Sequence, residues 1–311
     1  MRAGSGPLRV AGALLGVAAA FPSRAGAQAF TAPDGIGAVT LAWQYIDNTG
    51  HRYTDGYFNA RGQSASSSLA LDVEYAITDR LSASVGIPYV FAKYTGGLPP
   101  NSGLPVDMCQ CWHSAFADFS ASARYRFGSE TWAITPVARF GQPSHDYPYR
   151  GEAVVGRGLS ELQLGAFAAW RLVDLLPKAT VQAGYTYAFV ERAIDDINVN
   201  RSNVFADVGY AASRRLYVRA AWLWLHTHGG LQAGSTTGNP YPLPGEINTP
   251  ERRAEGNRLQ KVKYMQLVGG LAWNAGPVDV FATYAKYVWG RDAHNGYAIT
   301  AGVSWYFGLP Q

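Results

Sequence analysis

From residue 28 onward, apolar and polar positions alternate along the chain with a period of two, the signature of a strand with one face buried. The clearest run is Asp118 to Phe127. Phe119, Ala121, Ala123, Tyr125 and Phe127 point one way, and Asp118, Ser120, Ser122, Arg124 and Arg126 the other. Leu69-Leu71-Val73-Tyr75 alternates against Asp72 and Glu74, and Leu162 to Trp170 against Glu161, Gln163 and Arg171. Tyr297-Ile299-Ala301-Val303-Trp305-Phe307 closes the series. The pattern predicts twelve strands, near 36–46, 66–77, 81–92, 114–127, 131–141, 159–172, 179–191, 201–213, 216–227, 259–273, 278–289 and 296–308.

A soluble sandwich also alternates, so the connections carry the distinction. Around Asp79, at Gly128-Ser129, over Asp174 to Pro177, at Ser213-Arg214 and over Asn274 to Pro277 they are tight. Between these fall longer segments rich in Gly, Pro and Asn: 47–65, 93–113, 142–158, 192–200, 228–258 and 290–295. Strict long–short alternation with an even strand number predicts an antiparallel outer-membrane barrel. Its turns and both termini are periplasmic, and its long loops are external. Aromatics fall in two bands, as interfacial girdles require. Tyr75, Tyr125, Phe127, Trp132, Trp170, Tyr210, Trp273 and Trp305 lie toward the turns; Trp43, Tyr45, Phe91, Phe140, Tyr187, Phe189, Trp222, Trp224, Tyr287 and Trp289 lie toward the loops.

The first 27 residues read differently. Arg2 and Arg9 precede an apolar run, Val10 to Phe21; Pro22 breaks it, and Ala25-Gly26-Ala27 offers small residues before Gln28. That is the layout of a cleaved secretory signal peptide, leaving residues 28–311 as the barrel. Its removal takes away Arg2, Arg9 and Arg24, so the net charge falls from +4 to +1. The pI near 9.0 therefore gives no ground for a nucleic-acid partner.

Composition agrees with a barrel. Of 311 residues only 15% are charged, against 13% aromatic, and mean hydropathy is −0.09. Disordered chains are charge-rich and poor in aromatics, two cysteines cannot staple a scaffold of this length, and no apolar run beyond the leader reaches a helical span.

Several segments resemble the meta-pathway phenol-degradation family of outer-membrane proteins. Val155-Gly156-Arg157-Gly158-Leu159-Ser160-Glu161-Leu162-Gln163-Leu164-Gly165 is similar to that family's Gly-rich strand start, with Glu161 at the acidic position. Ser114-Ala115-Phe116-Ala117-Asp118 through Ala123-Arg124-Tyr125-Arg126-Phe127 resembles a second copy, and Val85-Gly86-Ile87-Pro88-Tyr89-Val90 the strand before a long loop. The resemblance implies an outer-membrane transporter for a small hydrophobic or aromatic molecule, loosely like the long-chain fatty-acid transporters. Those carry an N-terminal plug. Here about eight residues separate Ala27 from the first strand, too few to fill a lumen at the usual rise per residue, so a plug is expected from a loop, 228–258 or 93–113.

The inward polar set includes Asp72, Glu74, Asp118, Arg124, Arg126, Arg139, Glu161, Arg171, Asp207 and Arg219. Asp118, Arg124, Arg126, Arg139, Glu161 and Arg171 are the candidates for the lumenal substrate path. Mutual ion pairing is the expected state of charges inside a barrel; left unpaired, the arginines favour anions. Cys109 and Cys111, within Met108 to His113, are candidates for a disulfide, with soft-metal ligation as the alternative. All six histidines fall in external loops or at loop ends of strands, and His226 and His228 have i, i+2 spacing. No HExxH, P-loop or dinucleotide fingerprint occurs, and no cofactor is implied.

The sequence thus predicts passive or facilitated passage of a small molecule. The alternatives are a lipid-modifying enzyme with a Ser–His pair on the outer face, His226 or His294 as base, and a surface-binding barrel. The partners expected are outer-membrane lipid, the small-molecule substrate and the barrel assembly machinery. For the last, Phe307 is followed by Gly-Leu-Pro-Gln where similar barrels end on an aromatic residue.

Overall fold

The computed structural model describes residues 28–60, 62–96, 108–232, 252 and 254–309. The leader, residues 1–27, lies outside them. Twelve antiparallel strands form the wall: β1 (Gly37–Arg52), β2 (Gln63–Ala76), β3 (Leu81–Thr95), β4 (His113–Phe116, Asp118–Tyr125 and Phe127–Gly128), β5 (Trp132–Pro143), β6 (Glu161–Arg171), β7 (Ala179–Val190), β8 (Arg201–Ala211), β9 (Leu216–Thr227), β10 (Lys263–Asn274), β11 (Val278–Arg291) and β12 (Ala293–Phe307). Each pairs with its sequence neighbours, and β12 pairs with β1 from Gly37↔Phe307 to Arg52↔Ala293. The sheet is closed. None of the described helices is long and apolar enough to cross a membrane; the strands have the length to do so.

The two faces divide as the alternation requires. Leu41, Leu69, Leu71, Val85, Leu162, Leu164, Val208, Leu267, Leu271 and Val303 are exposed on the outside, a surface that makes sense only against hydrocarbon. Inside, short polar side chains bridge the strands. Thr40 and Ser304 share a hydrogen bond of 2.8 Å, as do Ser84 and Ser122, and Gln44 Nε2 donates to Thr300 at 3.0 Å. The turns are as tight as expected. Gly128, at φ +124°, approaches so near that a Cβ would lie 2.3 Å from the Trp132 carbonyl oxygen, a close approach open to glycine alone.

Three expectations about the elements are corrected. The predicted loop 290–295 shrinks to Asp292 between strands, at φ +47°, a left-handed conformation that Asp tolerates better than most residues. The strand expected at 114–127 is interrupted at Ala117 and Arg126. Tyr287, assigned to the external girdle, is buried and faces inward, whereas both Val288 and Trp289 are exposed. Pairing with β10 slips between Met265 and Gln266, and the extra residue in β11 is a bulge that turns Trp289 outward.

The faces have opposite tolerance for charge. Leu71→Arg, on the hydrocarbon side, is expected to cost about 2–4 kcal/mol of folding free energy, whereas Ser68→Arg on the lumenal face costs under about 1 kcal/mol. Reversible denaturant unfolding in lipid vesicles measures both.

Candidate functional site

The lumen holds charged residues at several levels. At the periplasmic end the chain itself enters. The Gln28 carbonyl accepts from Arg124 Nη1 at 2.8 Å, and the Ala29 carbonyl accepts from the Thr135 hydroxyl. The Phe30 ring lies 4.5 Å beneath the Arg171 guanidinium. Ala29 and Phe30 are buried against Phe167, Ala133 and Ala169. Thr31 then leaves the lumen, its hydroxyl donating to the Asp79 carbonyl at 2.6 Å. The expectation that any plug comes from a loop is therefore qualified: three residues, Gln28 to Phe30, do not fill the barrel, but they pack into its lower end.

Above this lie ion pairs. Arg124 binds Glu74 across the intervening β3 and also donates from Nε to Ser82 at 2.9 Å. Arg219 Nη2 is 2.6 Å from Asp207 Oδ2, which also accepts from Gln182. Glu161 pairs with Arg201, reaching across β7. Pairing is what makes such charges tolerable away from bulk water. Two arginines differ. Arg139 donates to Ser120 Oγ at 3.1 Å, and Arg171 stacks on Phe30; neither forms an ion pair with a carboxylate among the described residues. Arg126 is placed elsewhere, bonded to the Asp79 carbonyl at the periplasmic turn.

The external mouth is covered by loop 144–160, whose segment 151–156 is buried, and by a short helix, Gly256–Leu259. Of the loops expected to plug the barrel, the descending end of 228–258 contributes through this helix, with its centre outside the described residues. The 142–158 loop was not expected inside. The middle of the other candidate, 97–107, lies outside the described residues.

Asp118 anchors loop 144–160. It accepts from the Tyr147 hydroxyl, and that oxygen accepts from the Gly158 N–H at 2.8 Å. Burial, with the Asp118 carboxylate beside it, pushes the Tyr147 phenol above its ordinary pKa, so it stays protonated as donor. Arg157 Nη2 reaches the Arg258 carbonyl at 2.8 Å, joining loop to helix. Glu255, buried, holds Arg150 at 2.9 Å and Arg258, and the Arg258 guanidinium lies 3.9 Å from the Tyr149 ring centroid.

Sequence reasoning passed over Gln28 to Phe30, Tyr147, Arg157, Arg201, Glu255 and Arg258. Tyr147-Pro148-Tyr149-Arg150 and Gly156-Arg157-Gly158 carried a signal: aromatics and arginines embedded in a turn-rich loop. Cys109 and Cys111 are joined by a disulfide. Among the described residues no group of three or more His, Cys, Asp or Glu side chains could hold a metal. On the outer face Ser202 Oγ lies 2.7 Å from His228 Nε2, two residues along from the His226 expected as base. No carboxylate among the described residues bonds to His228.

No family model matches the chain, and no curated relative does. Among solved structures it is similar to the COG4313 outer membrane channel from Pseudomonas putida F1. The TM-score is 0.66 at 10% identity, covering 91% of this chain and 99% of that one. The chain has the fold of outer-membrane barrels. The NanC porin is also similar, with a TM-score of 0.50 at 12% identity, over 86% of this chain and 98% of that one.

Tyr147→Phe removes one hydroxyl that serves two partners. It is expected to cost about 1–3 kcal/mol, the penalty for leaving a buried carboxylate short of a donor. Faster protease cleavage within 144–160, at unchanged strand content by circular dichroism, would report the released loop.

Proposed function

We propose that the barrel conducts small molecules across the outer membrane by passive or facilitated diffusion, and that its substrates are small aromatic compounds carrying a negative or hydrogen-bonding group. The contrast among lumenal arginines carries this reading. Arg124, Arg201 and Arg219 are ion-paired with Glu74, Glu161 and Asp207, whereas Arg139, which faces Asp72 and Glu161 without a direct ion pair, and Arg171, over the Phe30 ring, are left open to a solute. An anion passing them is attracted without being trapped, provided each site is single and hydrated.

The aromatic part of the proposal rests on two supports. One is the resemblance in the Gly-rich strand starts. The other is the lumenal ring pair Phe167–Phe205, 5.5 Å between centroids, with Phe30 in the cluster that includes Phe167. A ring travelling edge-to-face along these would leave its polar group toward Arg171. The otherwise polar wall argues against a purely aliphatic cargo, which gains nothing from a lining of hydroxyl and amide groups.

The refolded protein in a planar bilayer is expected to give small, discrete, anion-favouring current steps. Arg139→Ala together with Arg171→Ala should bring the anion-to-cation permeability ratio toward unity, while Arg126→Ala at the turn should leave it unchanged. Deleting residues 28–31 should enlarge the steps, because it empties the lower lumen. A folded barrel that passes neither ions nor benzoate in liposome swelling, with or without residues 28–31, would sink the channel reading and leave a surface-binding barrel.

A further inference from the structure

The external rim of the outer wall carries a cluster that the lumen does not use. Trp222, Trp224 and His226 project outward from β9, opposite in parity to lumenal Arg219. His226 stacks on Trp224 at 5.6 Å between centroids, and His228 meets His226 edge-on at 4.7 Å. On the neighbouring β10, the Lys263 ammonium lies over two indoles, 5.9 Å from Trp224 and 5.4 Å from Trp289. Lys261 precedes it, near enough to act electrostatically on His226. His228 is fixed from behind by Ser202 at 2.7 Å, and Ser202 by the Tyr185 hydroxyl at 3.0 Å.

Four basic side chains thus gather on one patch, and neither lysine forms an ion pair with a carboxylate among the described residues. The two lysine ammoniums stand on one patch without a carboxylate counter-charge among the described residues, and like charges held close repel one another. That cost falls when an anion binds. The patch stands at the external ends of the strands, level with the outward aromatics, where the headgroups of the outer leaflet lie. Indole faces suit the apolar face of a sugar ring, and clustered lysines suit phosphate.

We propose that Trp224, His226, His228, Lys261, Lys263 and Trp289 bind the phosphorylated sugar headgroup of an outer-leaflet glycolipid. The inference rests on the outer-membrane reading of the barrel, but not on conduction through its lumen. The lysine ammoniums and the His226 ring donate to phosphate oxygens, while the two tryptophans flank the sugar and the first acyl carbons.

The test is native mass spectrometry of the full refolded chain in detergent, with bisphosphorylated lipid A, its dephosphorylated form and phosphatidylglycerol as probes. Bisphosphorylated lipid A should remain bound at the highest collision energy. Lys261→Gln and Lys263→Gln should each weaken retention by about fivefold, the scale of one basic residue at a charged membrane surface. Lys263→Arg should restore it, and Lys286→Gln, outward but over Tyr297, should have no effect. Equal retention of the dephosphorylated lipid, or retention unchanged in the lysine variants, would overturn the site. Equal retention of phosphatidylglycerol would overturn the glycolipid assignment. Heat-modifiable migration on a gel verifies folding of every variant. Because the same preparations are assayed for conductance, a silent barrel that still holds lipid A counts against the channel alone.

Discussion

Closure of the hydrogen-bond ladder between Gly37–Arg52 and Ala293–Phe307 is the constraint on which everything else depends. In hydrocarbon an unpaired backbone N–H or C=O has no water to turn to, so a sheet that crosses a bilayer must have no edge. Once the ladder is closed, each strand has a lipid face and a lumenal face, and residue parity decides which environment a side chain meets. Confinement of most charges to the lumenal face and the loops is why the chain is charge-poor, at 15% charged residues, yet of neutral hydropathy.

The interior then poses a second problem, because polar side chains confined in a narrow lumen must find partners. They do so over distances that strand pairing makes short: Glu74 and Arg124 are separated by fifty residues of chain, and Glu161 and Arg201 by forty. The same logic holds the loop and helix at the mouth, where Asp118, Tyr147, Glu255 and Arg258 hold them in place through charge-assisted and phenolic hydrogen bonds. Arg139 and Arg171 differ from these in having no carboxylate within ion-pair distance among the described residues; they rest instead on Ser120 and on the Phe30 ring.

The outer face obeys a different rule. Through the membrane it must be apolar, but at the external rim hydrocarbon gives way to headgroups, and a lysine held over indole rings becomes affordable. Lumenal Arg219 and outward Trp222 to His226 sit on one strand, so a single strand serves two chemistries on opposite sides. Changes on one face need not disturb the other.

What the chain determined locally, it displayed locally. The runs 118–127 and 297–307 gave their faces away because the pleat fixes side-chain direction residue by residue, and tight turns differ from long loops in Gly, Pro and Asn content. Where one extra residue enters a strand, parity fails: Tyr287 faces inward in step with Asp279, Phe281 and Thr283, while Trp289, two residues on, faces out. The fold of 144–160 into the mouth and the descent of Gln28 to Phe30 into the lumen were not legible. A segment's position there follows from partners such as Asp118, Arg124, Thr135 and Arg171, which become neighbours only after the barrel closes. Sequence by itself determined the strands, their faces and their order; tertiary structure decided which charges are neutralised and what occupies the lumen, because those energies belong to pairs that the chain keeps far apart.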